Sequence, residues 1–357
     1  MPMQRTLLPL LIVLILQLAL TAGLLMRHDP LAARTSDAPL IRPDAIKSAD
    51  QLVIEAKPAA GASAGASTAA SAGASSEPAH VTLKKKDGSW VLPESFDAPA
   101  DGPRVDTLLG RLTGLKRGLP IATSEAAQRR FKVEDGDFER KLTLSAAGKT
   151  IDTVYFGSSP GLRKADARTA ADKAVYAVDL PTYELPTDPG AWLSPDLLKL
   201  DPAKLSELDV SSGAQGTVRL VRQKGAPGQP GGWTDPALSG DSHVDVTHAD
   251  ALVQDLSQIH IEAVLGTGPQ ADWQQDHPAL AVKLLDEKSQ SVDWTLSKPA
   301  NGDFYVIKSS AQPWFFSVST ATGKQLIDAA GHDALIVTAK PAARPPPKPA
   351  ARAAGKS

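Results

Sequence analysis

"VTLKKKDGSWVL", Val81 to Leu92, runs through three lysines into Asp87-Gly88 and returns on a tryptophan. Asp-Gly between two strand-like runs predicts a β-hairpin. The pattern recurs as "VRLVRQKGAPGQPGGWTD" from Val218, which turns through glycine and returns on Trp233. Lys84, Lys85 and Lys86 stand where the second copy has Val221, Arg222 and Gln223. They read as solvated strand-end residues beside a turn rather than as a basic binding patch.

Working outward, the echo extends in both directions. "RPDAIKSADQLVIEA" (42–56) is matched with "LDPAKLSELDVSSGA" (200–214), and "RVDTLLGRLTGLKRGLPIAT" (104–123) with "HADALVQDLSQIHIEAVLGT" (248–267). "ERKLTLSAAGKTIDTVYFG" is matched with "ALAVKLLDEKSQSVDWTLS", and "KAVYAVDL" with "GDFYVIKS". Five blocks in one order make an internal repeat, which governs the fold reading. Val105, Leu108, Leu109, Leu112 and Leu115 form one apolar helical face, and Ala251, Leu252, Leu256 and Ile259 repeat it. Thr247 with Asp250 resembles a capping box that starts the second helix. Asn301-Gly302 predicts a tight turn. The expected fold class is α+β: an N-terminal transmembrane helix, then two tandem repeats, each an antiparallel sheet with one main packing helix.

The expected organisation follows. Residues 1–26 form a signal-anchor and 27–42 a short stalk. Repeat 1 covers 43–190, with a disordered Ala/Gly/Ser loop at 57–80. A helical connector at 191–199 leads to repeat 2 at 200–330. Residues 331–357 form a disordered basic Pro/Ala tail. Leu7 to Leu25 is nineteen residues without a charge. At 1.5 Å per residue it spans roughly 28 Å, about one hydrocarbon core. That length and the poor site in "LTAGLLMR" favour a retained anchor over a cleaved signal peptide. A short N-terminus before a long body favours a cytoplasmic N-terminus and a periplasmic body in a bacterial inner membrane.

The 357 residues carry a net charge of −2 and no cysteine. Disulfides, thiolate metal sites, cysteine nucleophiles and lipoprotein acylation are excluded together, and nothing in the charge balance suggests nucleic-acid binding. Catalytic motifs are scarce. "GASAG" (61–65) fits G-x-S-x-G around Ser63, but in low-complexity sequence rather than a strand-to-helix elbow. Asp241, His243, Asp245, His248 and Asp250 could ligate a metal, yet alternation with Val244 and Val246 reads as one polar face of an extended segment. His260 and His277 have no partner at ligand spacing. "VEDGDFER" (133–140) clusters carboxylates that a charged turn explains as well. Trp90, Trp233, Trp294 and Trp314 fall in predicted strands or strand ends, for packing or for glycan contact. Lys340, Arg344, Lys348, Arg352 and Lys356 give the tail one cation every four residues, suited to weak anionic contacts. No catalytic, cofactor or metal residue is assigned.

"GSWVLPESFDAPADGPRVDTLLGRLTGLK", "RRFKVED", "KLTLSAAGKTIDTVYFGSS" and "VYAVDLPTYELPTDPGAWLSPDLLKLD" together resemble the bacterial family catalogued as domain of unknown function 4340, over about Pro43 to Ala330. The family's step after the helix differs here, where "RFKV" stands. The resemblance implies a membrane-anchored protein, often encoded beside ABC-2-type transporter parts of the gliding-motility kind. It implies no catalytic residues. The expected function is a non-enzymatic, membrane-anchored periplasmic accessory or scaffold subunit, partnered with an ABC-type export or envelope complex. The alternative is a module that binds cell-wall or surface polysaccharide.

Overall fold

A computed structural model describes residues 38–57, 79–213, 216–225 and 231–338, together with Gln17. The chain divides into two compact units, Met1–Leu197 with Ile261–Gly266 and Leu198–His260 with Thr267–Ser357. The architecture is α+β with mostly antiparallel strands. Among the described residues no helix is long and apolar enough to cross a membrane. The stretch expected to span one, and the tail after Thr338, lie outside them apart from Gln17.

In the first unit, α1 (Pro43–Ser48) precedes β1 (Gln51–Ala56), β2 (Ala79–Lys86), β3 (Ser89–Leu92) and β4 (Ala98–Pro99). Then come α2 (Gly102–Gly114), α3 (Glu125–Arg130) and the short strands β5 (Val133–Glu134) and β6 (Asp137–Phe138). β7 (Arg140–Ala146), β8 (Lys149–Phe156), β9 (Ala165–Thr169) and β10 (Tyr176–Val178) complete the set. The large sheet runs β10-β9-β8-β7-β1-β2-β3-β4. Period-two alternation sends Leu52, Ile54, Val81, Leu83, Leu142 and Leu144 to one face, where each is fully buried. α2 closes that face with Val105, Leu108 and Leu112. Burying Leu112 contributes roughly 1.5–3 kcal/mol relative to leaving it in water. Asp101 starts the helix by accepting the Arg104 N–H at 3.1 Å. It ends where Leu115 turns extended and its carbonyl accepts the Leu40 N–H at 2.8 Å. At the β8–β10 end the other face is covered by Phe131, Val133 and Phe138, packed on Tyr155 and Val175.

The second unit holds β11 (Leu205–Ser212), β12 (Thr217–Arg222), β13 (Trp233–Thr234), β14 (Ser242–Val244) and α4 (Val246–Ser257). β15 (Ala263–Gly266) groups with the first unit. β16 (Leu280–Asp286), β17 (Ser291–Ser297), β18 (Phe304–Ser309), β19 (Phe315–Ser319), α5 (Thr320–Ala329), α6 (His332–Leu335) and β20 (Ile336–Thr338) follow. Seven strands of the second large sheet lie in order β13-β12-β11-β16-β17-β18-β19. α4 lays Ala249, Leu252 and Leu256 on its buried face.

The two units agree in the pairing of their central strands. Leu52↔Leu144 recurs as Leu208↔Leu284, and Leu83↔Leu52 as Leu220↔Leu208. Leu142↔Val154 recurs as Val282↔Trp294, and Tyr155↔Arg168 as Thr295↔Lys308. Lys85 sits over Trp90 at 6.0 Å, and Arg222 over Trp233 at 4.3 Å. Both main helices are capped by aspartate, Asp101 and Asp245. Two of the expected block matches need correction. The "LSELDV" strand sits two residues from its expected match, a shift that keeps every side chain on its face. "KAVYAVDL" corresponds by sheet order to β19, whereas β18 corresponds to β9, which carries Asp166 and Arg168 and did not read as a strand.

Other boundaries also move. Leu40 and Ile41, expected in the stalk, are buried in the first unit. The Ala/Gly/Ser tract is inserted between paired strands, since Ala56 faces Ala79, and residues 58–78 lie outside the described set. The connector is two 3-10 turns, Pro189–Trp192 and Pro195–Leu198. α6 and β20 lie in what was expected as tail, and β20 pairs with β14. Helix α4 is capped by Asp245 rather than Thr247. Its carboxylate accepts the Thr247 and His248 N–H groups at 3.0 and 3.2 Å, because the chain is already helical at Val246.

Candidate functional site

Two copies of one unit serve as an internal comparison. Positions that agree hold the fold, and those that differ on an outward face are free of that requirement. On the outward face the two sheets place their charges differently: the first has Lys141 paired with Glu55 at 3.1 Å where the second has Ala281 and Ser211, and the second has a longer row. Arg219 on β12 faces Asp209 on β11, Asp209 faces Lys283 on β16, and Lys283 faces Asp293 on β17. Charge alternates across four strands. The same row in the first unit is Thr82, Val53, Thr143 and Thr153, all uncharged. Opposite charges directly across a sheet each contribute roughly 0.2–1 kcal/mol.

Period two puts this row outside, because the neighbours Leu208, Val210, Val218, Leu220, Val282 and Trp294 are buried on the helix side. Arg219 holds Glu207 at 2.6 Å and lies 3.8 Å from Asp209. Burial pushes the Asp209 carboxyl up from its ordinary range, the Glu207 carboxylate adds to the rise, and Arg219 and Lys283 oppose it. The Arg219 N–H, left without a β13 partner, is taken at 3.2 Å by Asp235. The first unit guards the same edge with Glu94, which accepts the Thr82 hydroxyl at 2.7 Å. A cleft of about 620 Å³ opens where β11 begins and β12 ends, lined by Leu205, Ser206, Arg222, Lys224 and Glu287 among others. Ser206 sits at a β-bulge and its hydroxyl donates to the Leu285 and Asp286 carbonyls. Arg222 donates to the Leu205 and Pro202 carbonyls at 3.0 and 3.1 Å. These polar groups shape the cleft wall.

The residues singled out from sequence do not converge. Asp245 caps α4 and pairs with His248 at 3.0 Å, while Asp250 accepts the Trp233 indole N–H at 2.8 Å. His243, His260 and His277 are exposed. Among the described residues no three His, Asp or Glu side chains are placed to hold a metal. The acidic run at 133–140 is divided among separate partners. Glu134 pairs with Arg129, Asp137 with Lys57 and Glu139 with Lys132, and Asp135 accepts the Tyr155 hydroxyl at 2.6 Å. Burial, and then that hydrogen bond to a carboxylate, push the Tyr155 phenol up to about 12. Lys86 pairs with Asp97 at 3.1 Å on the first hairpin. Trp90, Trp233 and Trp294 are buried and Trp314 is half-buried. The first three therefore pack the core and offer no sheet-face platform for glycans. Ser63 lies outside the described residues.

Sequence reading missed one device that both units share. Arg168 is buried and donates to the Thr169 and Asp172 carbonyls at 3.2 and 3.1 Å. It also donates to the Val133 carbonyl at 2.7 Å and stacks 4.7 Å from the Tyr155 ring. Lys308, its equivalent, donates to the Ser309 carbonyl at 2.6 Å and to the Gln312 carbonyl. Each cation holds the turn that follows its own strand.

A family model described as "Domain of unknown function (DUF4340)" matches residues 90–278, more than half of the chain. The chain belongs to the DUF4340 family. The match is narrower than the stretch over which the resemblance was read, beginning at Trp90 in β3 and ending just before β16. It takes in segments of both units, so the DUF4340 pattern includes parts of both copies. No curated protein and no solved structure matches the chain.

Proposed function

We propose that this DUF4340 protein is a non-enzymatic accessory or scaffold subunit. An N-terminal apolar anchor would hold it in a bacterial inner membrane, with its body in the periplasm beside an ABC-type export or envelope complex. The observation that carries the reading is the alternating charged row Arg219–Asp209–Lys283–Asp293 on an outward sheet face, where the duplicated unit has a neutral row. A patterned row of charge selects register and partner more than it adds raw affinity, which is what a docking face requires. Beside the row, buried Asp235 supports the same reading, because it is taken up by the Arg219 backbone N–H of the fold.

The test is cross-linking in cells, then detergent purification of the tagged protein and mass spectrometry of what accompanies it. Recovery of an ABC permease or its ATPase is expected. Reversing two charges, Arg219→Glu with Lys283→Glu, is expected to remove that partner while the protein stays in the membrane fraction. A protein that runs alone in native membranes would refute the proposal. So would recovery of wall fragments only, which would favour polysaccharide binding instead.

A further inference from the structure

The chain enters the first unit alongside a rim of exposed aliphatic side chains. The Ala38 carbonyl accepts the Arg117 N–H at 2.8 Å, and Pro39 bridges Lys116. The segment that leaves this contact, "KRGLPIAT" (116–123), keeps Leu119 45% and Ile121 44% exposed. It is not a loose loop. Ile121 donates to the Val175 carbonyl and Val175 donates to the Ala122 carbonyl, both at 2.8 Å. In the second copy the equivalent residues are Ala263 and Leu265, which lie in β15 and are half-buried. The first copy thus leaves two aliphatic side chains more exposed than their equivalents in the second.

Position says what covers them. Thirteen positions separate Leu25, the end of the uncharged stretch, from Ala38. Fully extended they reach at most about 45 Å, so an anchored chain keeps this rim within that distance of the bilayer surface. At that range weak contacts add through effective concentration. Cations stand in the right places. Lys116 is exposed at the base of the rim, as is Arg42, and Arg42 and Arg117 both lie near enough to Asp152 to act on its carboxylate. A rim of Leu and Ile flanked by Lys and Arg suits the boundary between acyl chains and anionic headgroups.

We infer that the Lys116–Thr123 rim docks the first unit onto an anionic phospholipid surface, with Leu119 and Ile121 at the acyl boundary and Lys116 and Arg42 at the phosphates. The inference rests on the anchored reading given above.

The chain has no cysteine, so one introduced thiol is a unique labelling site. Full-length Thr123→Cys and Leu162→Cys proteins would carry an environment-sensitive fluorophore in phosphatidylglycerol nanodiscs. Leu162 is 93% exposed on the β8–β9 loop, outside the rim, and serves as the comparison position. The label at 123 is expected to shift to the blue and to be quenched by headgroup-nitroxide lipid, while the label at 162 does neither. Adding Leu119→Ser and Ile121→Ser is expected to weaken docking roughly tenfold and reverse the shift. Phosphatidylcholine discs are expected to weaken it as well. A label at 123 as wet as that at 162, in protein that resists carbonate extraction, would overturn the docking and leave the anchor standing. Protein released by carbonate would overturn both. A blue shift that grows with protein per disc and lacks lipid quenching would assign the rim to a second copy and overturn the inference.

Discussion

Replacing Arg168 by methionine removes a buried cation from three carbonyls at once. The guanidinium donates to Val133, Thr169 and Asp172 and stacks on Tyr155. Hydrogen bonds from a charged group contribute about 1.5–3 kcal/mol each, and they do not add when they share one donor group. The Val133 carbonyl loses its donor in a covered site, which brings its own desolvation cost. We take about 3–4 kcal/mol as the local loss, which corresponds to roughly a few hundredfold faster amide exchange wherever opening is local. A single unfolding midpoint would blur this in a chain of two units. Hydrogen exchange read by mass spectrometry resolves it, with faster exchange expected in peptides covering 131–138 and 165–176. Arg168→Lys refines the test, because Lys308 holds the equivalent turn with an ammonium. The lysine variant should keep the 169–172 turn protected and lose protection at Val133. Unchanged exchange in the methionine variant, or acceleration spread evenly into 205–319, would refute the assignment of Arg168 to this turn.

Leu112→Ala and Leu256→Ala occupy equivalent helix positions, both almost wholly buried. Each should cost about 2–5 kcal/mol, and exchange should show each loss confined to its own unit. Tyr155 has a raised pKa, so the folded chain keeps a proton that the unfolded chain releases near pH 10. Its contribution is complete below pH 10 and falls as pH rises towards about 12. The denaturation midpoint should therefore drop more steeply across that window in the natural protein than in Tyr155→Phe, and equal slopes would contradict the assignment. Replacing residues 57–78 by the four-residue connection of the second copy, 213–216, should leave β1 paired with β2. At the flexible-chain limit it should stabilise the unit by about 1.5 kcal/mol, checked by circular dichroism and thermal melting.

What could be read from the sequence follows from range. The β1 and β2 strands, the hairpin tip and the face of α2 are local patterns of period 2 or 3.6, and all stand where the residues placed them. β9 was missed because "ADART" puts Asp166 and Arg168 on a face that normally reads as solvent. α3 and the β5–β6 hairpin cover that face, and Arg168 tolerates burial only because distant carbonyls receive its protons. The cap on α4 was misplaced by two residues because Asp245 and Thr247 are both good cap residues. The chain's helical start at Val246 decides between them.

The charged row was illegible for a different reason. Arg219, Asp209, Lys283 and Asp293 are scattered through 85 positions and become neighbours only when three strand registers are known. No local window contains them. The repeat nevertheless held the signal. Once the two copies are aligned strand by strand, buried positions pair apolar with apolar, as Leu52 with Leu208 and Val81 with Val218. Half-buried or exposed positions on the other face pair Thr82 with Arg219, Val53 with Asp209, Thr143 with Lys283 and Thr153 with Asp293. A duplicated fold needs the first set in both copies, since either sheet would lose its helix without them. It does not need the second set, because cross-strand pairs of this kind stabilise by about 1 kcal/mol or less, and the neutral row supports the same architecture. The fold therefore does not require the charges, which is the physical ground for testing that face for a partner.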